Sequence, residues 1–572
     1  MHGVTTEVTL VVVVGILIIG AVATIANRIG VAAPLLLVVL GAGLSLIPGV
    51  PQIEVPPEVF LTIILPPLLY TAALQVPAVD FRRNLRVIGY LSVLLVAASA
   101  LVVALVLQSL WPVIGFAAAL ALGAVVAPPD AVAATALGKR LGLPPRVVTI
   151  LEGEGLINDA TALVLLSTAV AAIERIGNSD IEAAPLFGDF AIAVLVALVI
   201  GALVGYATVR IRQYANDRAI DTAISLATPF LSFLAAESLH GSGIVAVVVT
   251  GLVIGNRSQV RIRATRREQE RSTWATFSVI VENGVFLTMG MQLPAVLSAV
   301  DEGERHLLGV VLVGLLLCAV LLAVRLASMP PLQWWLRTTA ERRRRDHARR
   351  AQRLAGLEPD SKRGAKLRRM HLIRGHDITA LDDQRLGWRD MLAIGWAGMR
   401  GVVTVAAVQT LPADTPMRAE LVLVAFVVAI VTLLVQGGTL SWLVTLLRLT
   451  HDGSERHRIE LDELLGETIE AGIDAMERAA ELQAIDERLV EAAGERMRSR
   501  RAWAAHVAEV DPEDSSTDVA QISRLRHLAV EAERLWLDQV RRTGRFDSKT
   551  VGAVQRIIDR EEIGLQADED EH

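Results

Sequence analysis

Long apolar segments separated by short polar ones run through the first four-fifths of this 572-residue sequence. Most of them approach the ~20 residues that an α-helix needs to cross a hydrocarbon core of ~30 Å. The segments cover residues 8–25, 31–47, 59–76, 87–111, 113–139, 147–173, 190–209, 220–239, 244–255, 274–293, 307–326, 391–411 and 421–447. The pattern predicts an all-α polytopic membrane protein with about thirteen transmembrane helices in a domain over residues 1–447.

The polar connections between these segments alternate in charge. Every second connection is rich in Lys and Arg, and the longest two basic ones cover residues 257–271 and 337–388. The connections between them are acidic or neutral. Because Lys and Arg mark cytoplasmic loops, we expect the N-terminus outside the cell and the C-terminus in the cytoplasm of a plasma-membrane protein.

Two polar regions are long enough to have structure of their own. Residues 337–388 form a predicted basic cytoplasmic loop, which either touches anionic lipid headgroups or serves only as a topology signal. From residue 448 to 572 the sequence is highly charged, and apolar residues recur every three or four positions. The recurring residues include Leu461, Leu465, Ile469, Ile473 and Met476, with a second stretch around Leu525, Leu528, Leu535 and Leu537. This spacing predicts a cytosolic helical tail, to which the sequence assigns no ligand.

Composition supports the membrane class and narrows the chemistry. The chain is 53% hydrophobic, and its mean hydropathy of +0.48 is too high for an ordinary soluble protein. Its one cysteine, Cys318, lies in an apolar segment, which excludes a disulfide framework and a cysteine-based metal site. We expect the lipid bilayer as a partner, and neither a nucleic-acid partner nor a cofactor.

A few ionisable side chains lie well inside the predicted membrane segments. They are Asp130, Glu154, Asp159, Glu282, Arg325 and Arg400. A charge at the bilayer centre costs at least ~2.5–3.5 kcal/mol on insertion scales, so such residues indicate function. Asp221 and Glu237 lie near the ends of the eighth segment, where we expect them to reach the interface by snorkelling.

The sixth segment brings three oxygen-bearing side chains close together. Glu154 and Asn158 are four residues apart and share a helix face, and Asp159 lies about a third of a turn round. Oxygen ligands suit a hard monovalent cation, and one carboxylate can hold a proton or a cation but not both. Competition for one carboxylate is the least that exchange requires. The alternative is a polar contact between two helices.

Two further segments contain helix breakers beside an ionisable residue. In the fifth, Pro128 and Pro129 precede Asp130, and proline leaves backbone carbonyls without their helical donors. In the twelfth, glycines interrupt the run from 395 to 401 around Arg400. The two segments are seven apart and so run in opposite directions, as inverted repeats require. A kinked helix and a small-residue packing face would explain each feature alone, but not the pairing.

Five motifs of this chain occur in the order of a known family. They are Leu-Pro-Pro-Leu-Leu-Tyr at 65–70, the broken segment at 123–132, Gly-Glu-Gly-Leu-Ile-Asn-Asp at 153–159, Phe-Leu-Thr-Met-Gly-Met-Gln-Leu at 286–293, and the glycine-rich run at 395–403. Together they resemble the monovalent cation/proton antiporter family, which includes NhaP-type bacterial antiporters and eukaryotic Na⁺/H⁺ exchangers. The resemblance covers roughly residues 8–447.

The resemblance implies a fold of inverted repeats with crossed broken helices, in a homodimer. It also implies exchange of Na⁺, or of Li⁺ or K⁺, for H⁺, with a role in intracellular pH and sodium homeostasis and no enzymatic activity. By position, Asp159 is the carboxylate that binds the cation and the proton, beside Asn158. An Asn at that position is found in electroneutral members.

The remaining site residues are also assigned by the resemblance. Glu154 would complete the cation site as a ligand or organise it. Asp130 and Pro129 of the broken helix, together with Asn158, would also belong to the residues that bind the cation or the proton. Arg400 and Arg325 match intramembrane arginines that neutralise acids or helix ends.

The chain also departs from the family pattern. Pro129 and Gly155 replace a Thr and a Ser, so two hydroxyl ligands are missing. Thr71 replaces an acid found in many bacterial members, and we expect Glu282 to take over as the partner of Arg400.

Three other functions are compatible with parts of the sequence. A cation channel would need a continuous polar path or repeated selectivity rings, whereas this chain has a single acidic cluster. An intramembrane aspartyl protease could use Asp130 and Asp159, but the Gly-x-Gly-Asp context is missing. The tail could signal while transport is vestigial.

Overall fold

The protein is helical throughout the part that its structure, a computed structural model, describes. Described are residues 2–29, 33–47, 59–130, 135, 138, 141–175, 183–215, 217–301, 306–355, 362–412, 414–449, 454–483 and 516–570, with isolated positions between 488 and 498. All regular secondary structure in these residues is helical, which confirms the predicted class. Residues 131 and 132 of the predicted broken segment lie outside the described residues.

The helices of the described residues are numbered in chain order. They are α1 His2–Ile29, α2 Ala33–Ser45, α3 Phe60–Gln75, α4 Ala78–Leu110, α5 Gly115–Val126, α6 Pro145–Arg175, α7 Ala183–Arg212, α8 Arg218–Glu237, α9 Gly243–Arg261, α10 Ala264–Asp301, α11 Leu307–Ala355, α12 Lys362–Asp383, α13 Trp388–Trp396, α14 Val402–Val408, α15 Arg418–Leu446, α16 Ser454–Gln483, α17 Ser516–Thr543 and α18 Ser548–Asp570. Short π-helical turns occur in α3, α4 and α15.

Seven of these helices are long and apolar enough to cross a membrane, namely α4, α6, α7, α8, α10, α11 and α15. Shorter apolar stretches lie in α1, α2, α3, α5 and α9. The twelfth predicted segment consists of the short helices α13 and α14 with a break between them. A multi-pass membrane protein is confirmed, and the number thirteen stays a prediction.

The chain divides into two compact units. A membrane unit comprises Met1–Asn256, Glu270–Arg337 and Leu386–Thr450, and a tail unit comprises Arg257–Gln269, Thr338–Arg385 and His451–His572. The two long basic connections therefore belong mainly to the tail unit. The second is helical over much of its length, since α11 continues to Ala355 and α12 follows. Arg and Ala, which are frequent there, are good helix formers.

The breaks of two helices meet inside the membrane unit. Helix α5 ends just before the Pro-Pro pair and packs against α4, α6, α14 and α15. Beyond its end, the backbone N–H of Asp130 donates to the carbonyl of Met399, between α13 and α14, over 2.5 Å. The unwound backbone of each break thus finds a partner in the other, as irregular backbone inside a membrane must.

The tail unit has its own apolar core. Leu465, Ile469, Ile473 and Met476 on α16 are buried against α17 and α18, which confirms the predicted amphipathic helix. Of the predicted apolar residues on α17, Leu525 and Leu537 are buried, whereas Leu528 and Leu535 are exposed.

Candidate cation-binding site

A cavity of about 240 Å³ lies inside the membrane unit, large enough for a cation with several waters. Its polar lining comprises the carboxylates of Asp130, Glu152, Asp159 and Glu282, the amide of Gln75 and the hydroxyls of Thr71, Thr135, Ser278 and Thr404. These oxygens come from α3, α6, α10, α14 and the residues after α5. Oxygen atoms are the ligands that a hard cation prefers.

Asp130 reaches the cavity because Gly401 leaves room for it. A Cβ atom at Gly401 would clash with the Asp130 carboxylate, so only glycine lets the two helix breaks approach this closely. Gly398 has a similar role, since a Cβ atom there would clash with Arg325. The glycines predicted to interrupt the twelfth segment are therefore positions of close approach.

Asn158 ties the sixth predicted segment to the broken helix. Its side chain is fully buried, and its Nδ2 donates to the carbonyl of Pro129 over 2.6 Å. Its Oδ1 accepts from the backbone N–H of Asp159 over 2.6 Å. Both ends of the amide thus position the turn that carries Asp159. A carbonyl freed by the proline break is bound by the protein itself.

Glu154 is not part of the cavity lining. Its two carboxylate oxygens accept hydrogen bonds of 2.6 and 2.8 Å from the guanidinium of Arg325, which also donates to the carbonyl of Ile394. Both charged side chains are buried. The structure corrects the expectation that Glu154 is a cation ligand, because its oxygens face a buried cation of the protein. The alternative expectation, that Glu154 organises the site, stays a prediction.

Arg400 also differs from the prediction. Its guanidinium donates to the carbonyls of Val126, Ala127 and Gly398, and its described hydrogen bonds do not include Glu282. The expected Arg400–Glu282 pair was wrong. The physical reason is that the carbonyl end of α5 carries a partial negative charge, which a guanidinium stabilises. Glu282 lines the cavity instead.

A second buried charge network was missed by the sequence reasoning. Asp221 is buried and makes two hydrogen bonds of 2.9 Å with the fully buried Arg212, so snorkelling does not describe it. Arg212 also binds Glu270 on α10, which accepts from Ser225. Glu237 is exposed, as expected. The contact from Arg212 to Glu270 joins helices far apart in sequence, where local patterns carry no signal.

Carboxylates gathered where two interrupted helices meet, inside a bundle of apolar helices, define a secondary transporter for cations. The family model described as "Sodium/hydrogen exchanger, transmembrane" matches residues 13–446, and the chain belongs to this family. It is therefore a cation/proton exchanger of a membrane and not an enzyme, and it transports its ions without a cofactor.

Relatives and a solved structure agree with this membership. Over 572 residues, the chain is 30% identical to an uncharacterised Na⁺/H⁺ exchanger of Mycobacterium tuberculosis, covering 98% of this chain and 96% of the relative. A Na⁺/H⁺ antiporter of Aphanothece halophytica is 26% identical over 423 residues, or 74% of this chain and 71% of that one. The sodium/proton antiporter of Methanocaldococcus jannaschii at pH 8 matches with a TM-score of 0.56 and 17% identity over 78% of this chain and 100% of that chain. This last likeness supports the fold alone.

Proposed function

We propose that this protein exchanges Na⁺, or Li⁺ or K⁺, for H⁺ by alternating access, with the cation and the proton competing for Asp159. The observation that carries the proposal is the position of Asp159 on the cavity wall, together with Asp130 from the proline break. A carboxylate buried in a membrane needs a proton or a cation to balance it. The two ions that the family exchanges are the two that can do so.

Neighbouring residues hold this carboxylate in place. Asn158 fixes the turn of α6 against the carbonyl of Pro129, while the Glu154–Arg325 pair joins α6 to α11. Arg400 balances the carbonyl end of α5. In this scheme the proton and the cation replace one another on one carboxylate, so the loaded carrier has the same charge on both legs and exchange is electroneutral.

The setting of the transporter follows from the same reasoning. We infer a homodimer in the plasma membrane, with the N-terminus outside, the tail in the cytoplasm, and a role in pH and sodium homeostasis. Family membership supports the dimer, and the alternating basic loops support the orientation. Light scattering of the detergent-solubilised protein tests the dimer, and a purely monomeric mass would contradict it.

Exchange is tested with purified protein in liposomes that contain a pH-sensitive dye. An acid interior should become alkaline when Na⁺, Li⁺ or K⁺ is added outside, with the three ions compared at several pH values. Under electroneutral exchange, clamping the membrane potential with valinomycin and K⁺ should leave the initial Na⁺-driven rate unchanged. Absence of any cation-driven proton flux would refute the proposal, and a flux that itself generates a potential would indicate a channel.

A further inference from the structure

Glu282 lies in a position where it does not compensate the charge of Arg400. It lies on α10, one helical turn after Ser278, and both side chains line the cavity together with Asp159. Residues four apart share a helix face, so α10 presents a hydroxyl and a carboxylate to the same space. The cavity lining therefore includes an acid from α10 as well as those from α6 and the break after α5.

No described residue that lines the cavity is basic, and the two intramembrane arginines are occupied elsewhere. Arg325 is bound to Glu154 and to the carbonyl of Ile394, and Arg400 is bound to carbonyls. Among the described residues, no guanidinium therefore lines the cavity with the Glu282 carboxylate. The carboxylates of Glu282 and Asp159, which line the same small space, repel each other unless a proton or a cation lies between them.

The hydroxyl of Ser278 fixes α10 to α3 at this point. Ser278 Oγ donates to Thr71 Oγ1 over 3.1 Å, and Thr71 Oγ1 in turn donates to the carbonyl of Leu68 over 2.8 Å. By the resemblance described above, Thr71 is at the position where an acid is expected in many bacterial members of the family. A carboxylate at Thr71 and one at Glu282 would therefore enter the same cavity from adjacent, hydrogen-bonded helices.

We propose that Glu282 is a direct ligand of the transported monovalent cation and replaces, from α10, the carboxylate that Thr71 lacks on α3. Ser278 holds the two helices together at the ligand. The proposal rests on the proposed function and adds a ligand to its site. Asp159 remains the carboxylate for which the cation and the proton compete.

The test moves the carboxylate from position 282 to position 71. In liposomes, Glu282→Gln should raise the KM for Na⁺ and for Li⁺ about tenfold or more, the effect of losing one charged ligand, while kcat changes less. Adding Thr71→Glu to this variant should return the KM to within about threefold of the original. Glu420→Gln makes the same chemical change outside the cavity and serves as the matched control, with unchanged KM.

The outcomes separate the two proposals. If the unaltered protein shows no cation-driven proton flux, the proposed function fails and Glu282 is not at issue. If it exchanges normally and Glu282→Gln leaves the KM unchanged, Glu282 is not a ligand. A Glu282→Gln variant that fails to elute as a single species in detergent is judged by the double variant. Recovery of both folding and KM by Thr71→Glu supports the proposal, and recovery of folding without KM overturns it.

Discussion

Two acids only five residues apart on α6 have opposite surroundings. The Glu154 carboxylate is 1% exposed and is held by two hydrogen bonds from Arg325. The Asp159 carboxylate lines a cavity in which the other charged groups described are also acids. Both lie in one apolar segment, so the sequence alone predicts the same free-energy cost for burying either charge in the membrane.

The difference indicates how one helix combines stability with transport. A buried acid already bonded to a guanidinium has a fixed charge, because protonating it would leave the Arg325 cation unpaired. An acid facing other acids needs a counterion from outside, and a proton or a metal cation serves equally. The guanidinium partner, rather than depth in the membrane, distinguishes the structural carboxylate from the one proposed to transport.

The largest effect is expected from neutralising the unpaired acid. Asp159→Asn should abolish cation-driven proton flux, with a loss of at least about a hundredfold, because the amide binds neither the proton nor the cation as a carboxylate does. The variant should still elute as a single species in detergent. Flux in liposomes within about tenfold of the unaltered protein would contradict the assignment.

Removing one member of the Glu154–Arg325 pair should mainly lower the stability of the fold. Arg325→Met leaves Glu154 buried without its partner, which we expect to cost about 3–5 kcal/mol. The variant should show a lower thermal midpoint in detergent and a lower yield. The double variant Glu154→Leu with Arg325→Met should regain most of that midpoint, since neither charge remains. A double variant no more stable than the single one would argue against a mainly structural pair.

Displacing the Asp130 carboxylate without changing its charge should have an intermediate effect. Gly401→Ala places a methyl group against the Asp130 carboxylate and should lower kcat/KM for Na⁺ about tenfold to a hundredfold. Gly438→Ala is the control, because a Cβ atom at Gly438 meets no atom within 4 Å. Equal activity of the two variants would show that the approach of Asp130 to Gly401 is unimportant.

The sequence could identify residues whose signal is local. Asp159, Asn158 and Asp130 stand out because polar groups are costly inside an apolar segment, and the structure brings them to the same helix break. Partners could not be predicted in the same way. Glu154 and Arg325 are 171 residues apart, and Arg400 selects carbonyls 273 and 274 residues away. Such contacts depend on which helices become neighbours in the fold, and local sequence patterns do not show this. The prediction that Glu282 pairs with Arg400 was wrong for this reason.

Two histidines of the tail unit also lie side by side without an opposite charge between them, and we expect a smaller effect from them. The rings of His347 on α11 and His371 on α12 are stacked, with centroids 3.9 Å apart and planes 7° apart. Burial lowers the pKa of His371 from its usual 6.5, and His347, Arg350 and Arg374 lower it further. Protonation of His371 is therefore less favourable in the folded tail unit, because the charged imidazolium would lie near other cationic groups.

The sign of the pH dependence follows from this lowered pKa. Above pH 6.5 His371 is neutral in both the folded and the unfolded chain, and its contribution to stability is constant. As the pH falls below 6.5 the unfolded chain takes up a proton first, so α12 should lose stability. Hydrogen exchange of the whole protein in detergent, corrected for intrinsic rates, should show α12 less protected at pH 5.5 than at pH 7.5. His371→Gln should reduce that difference, while α15, which contains no histidine, stays the same in both proteins. An unchanged difference in the variant would show that His371 does not sense pH.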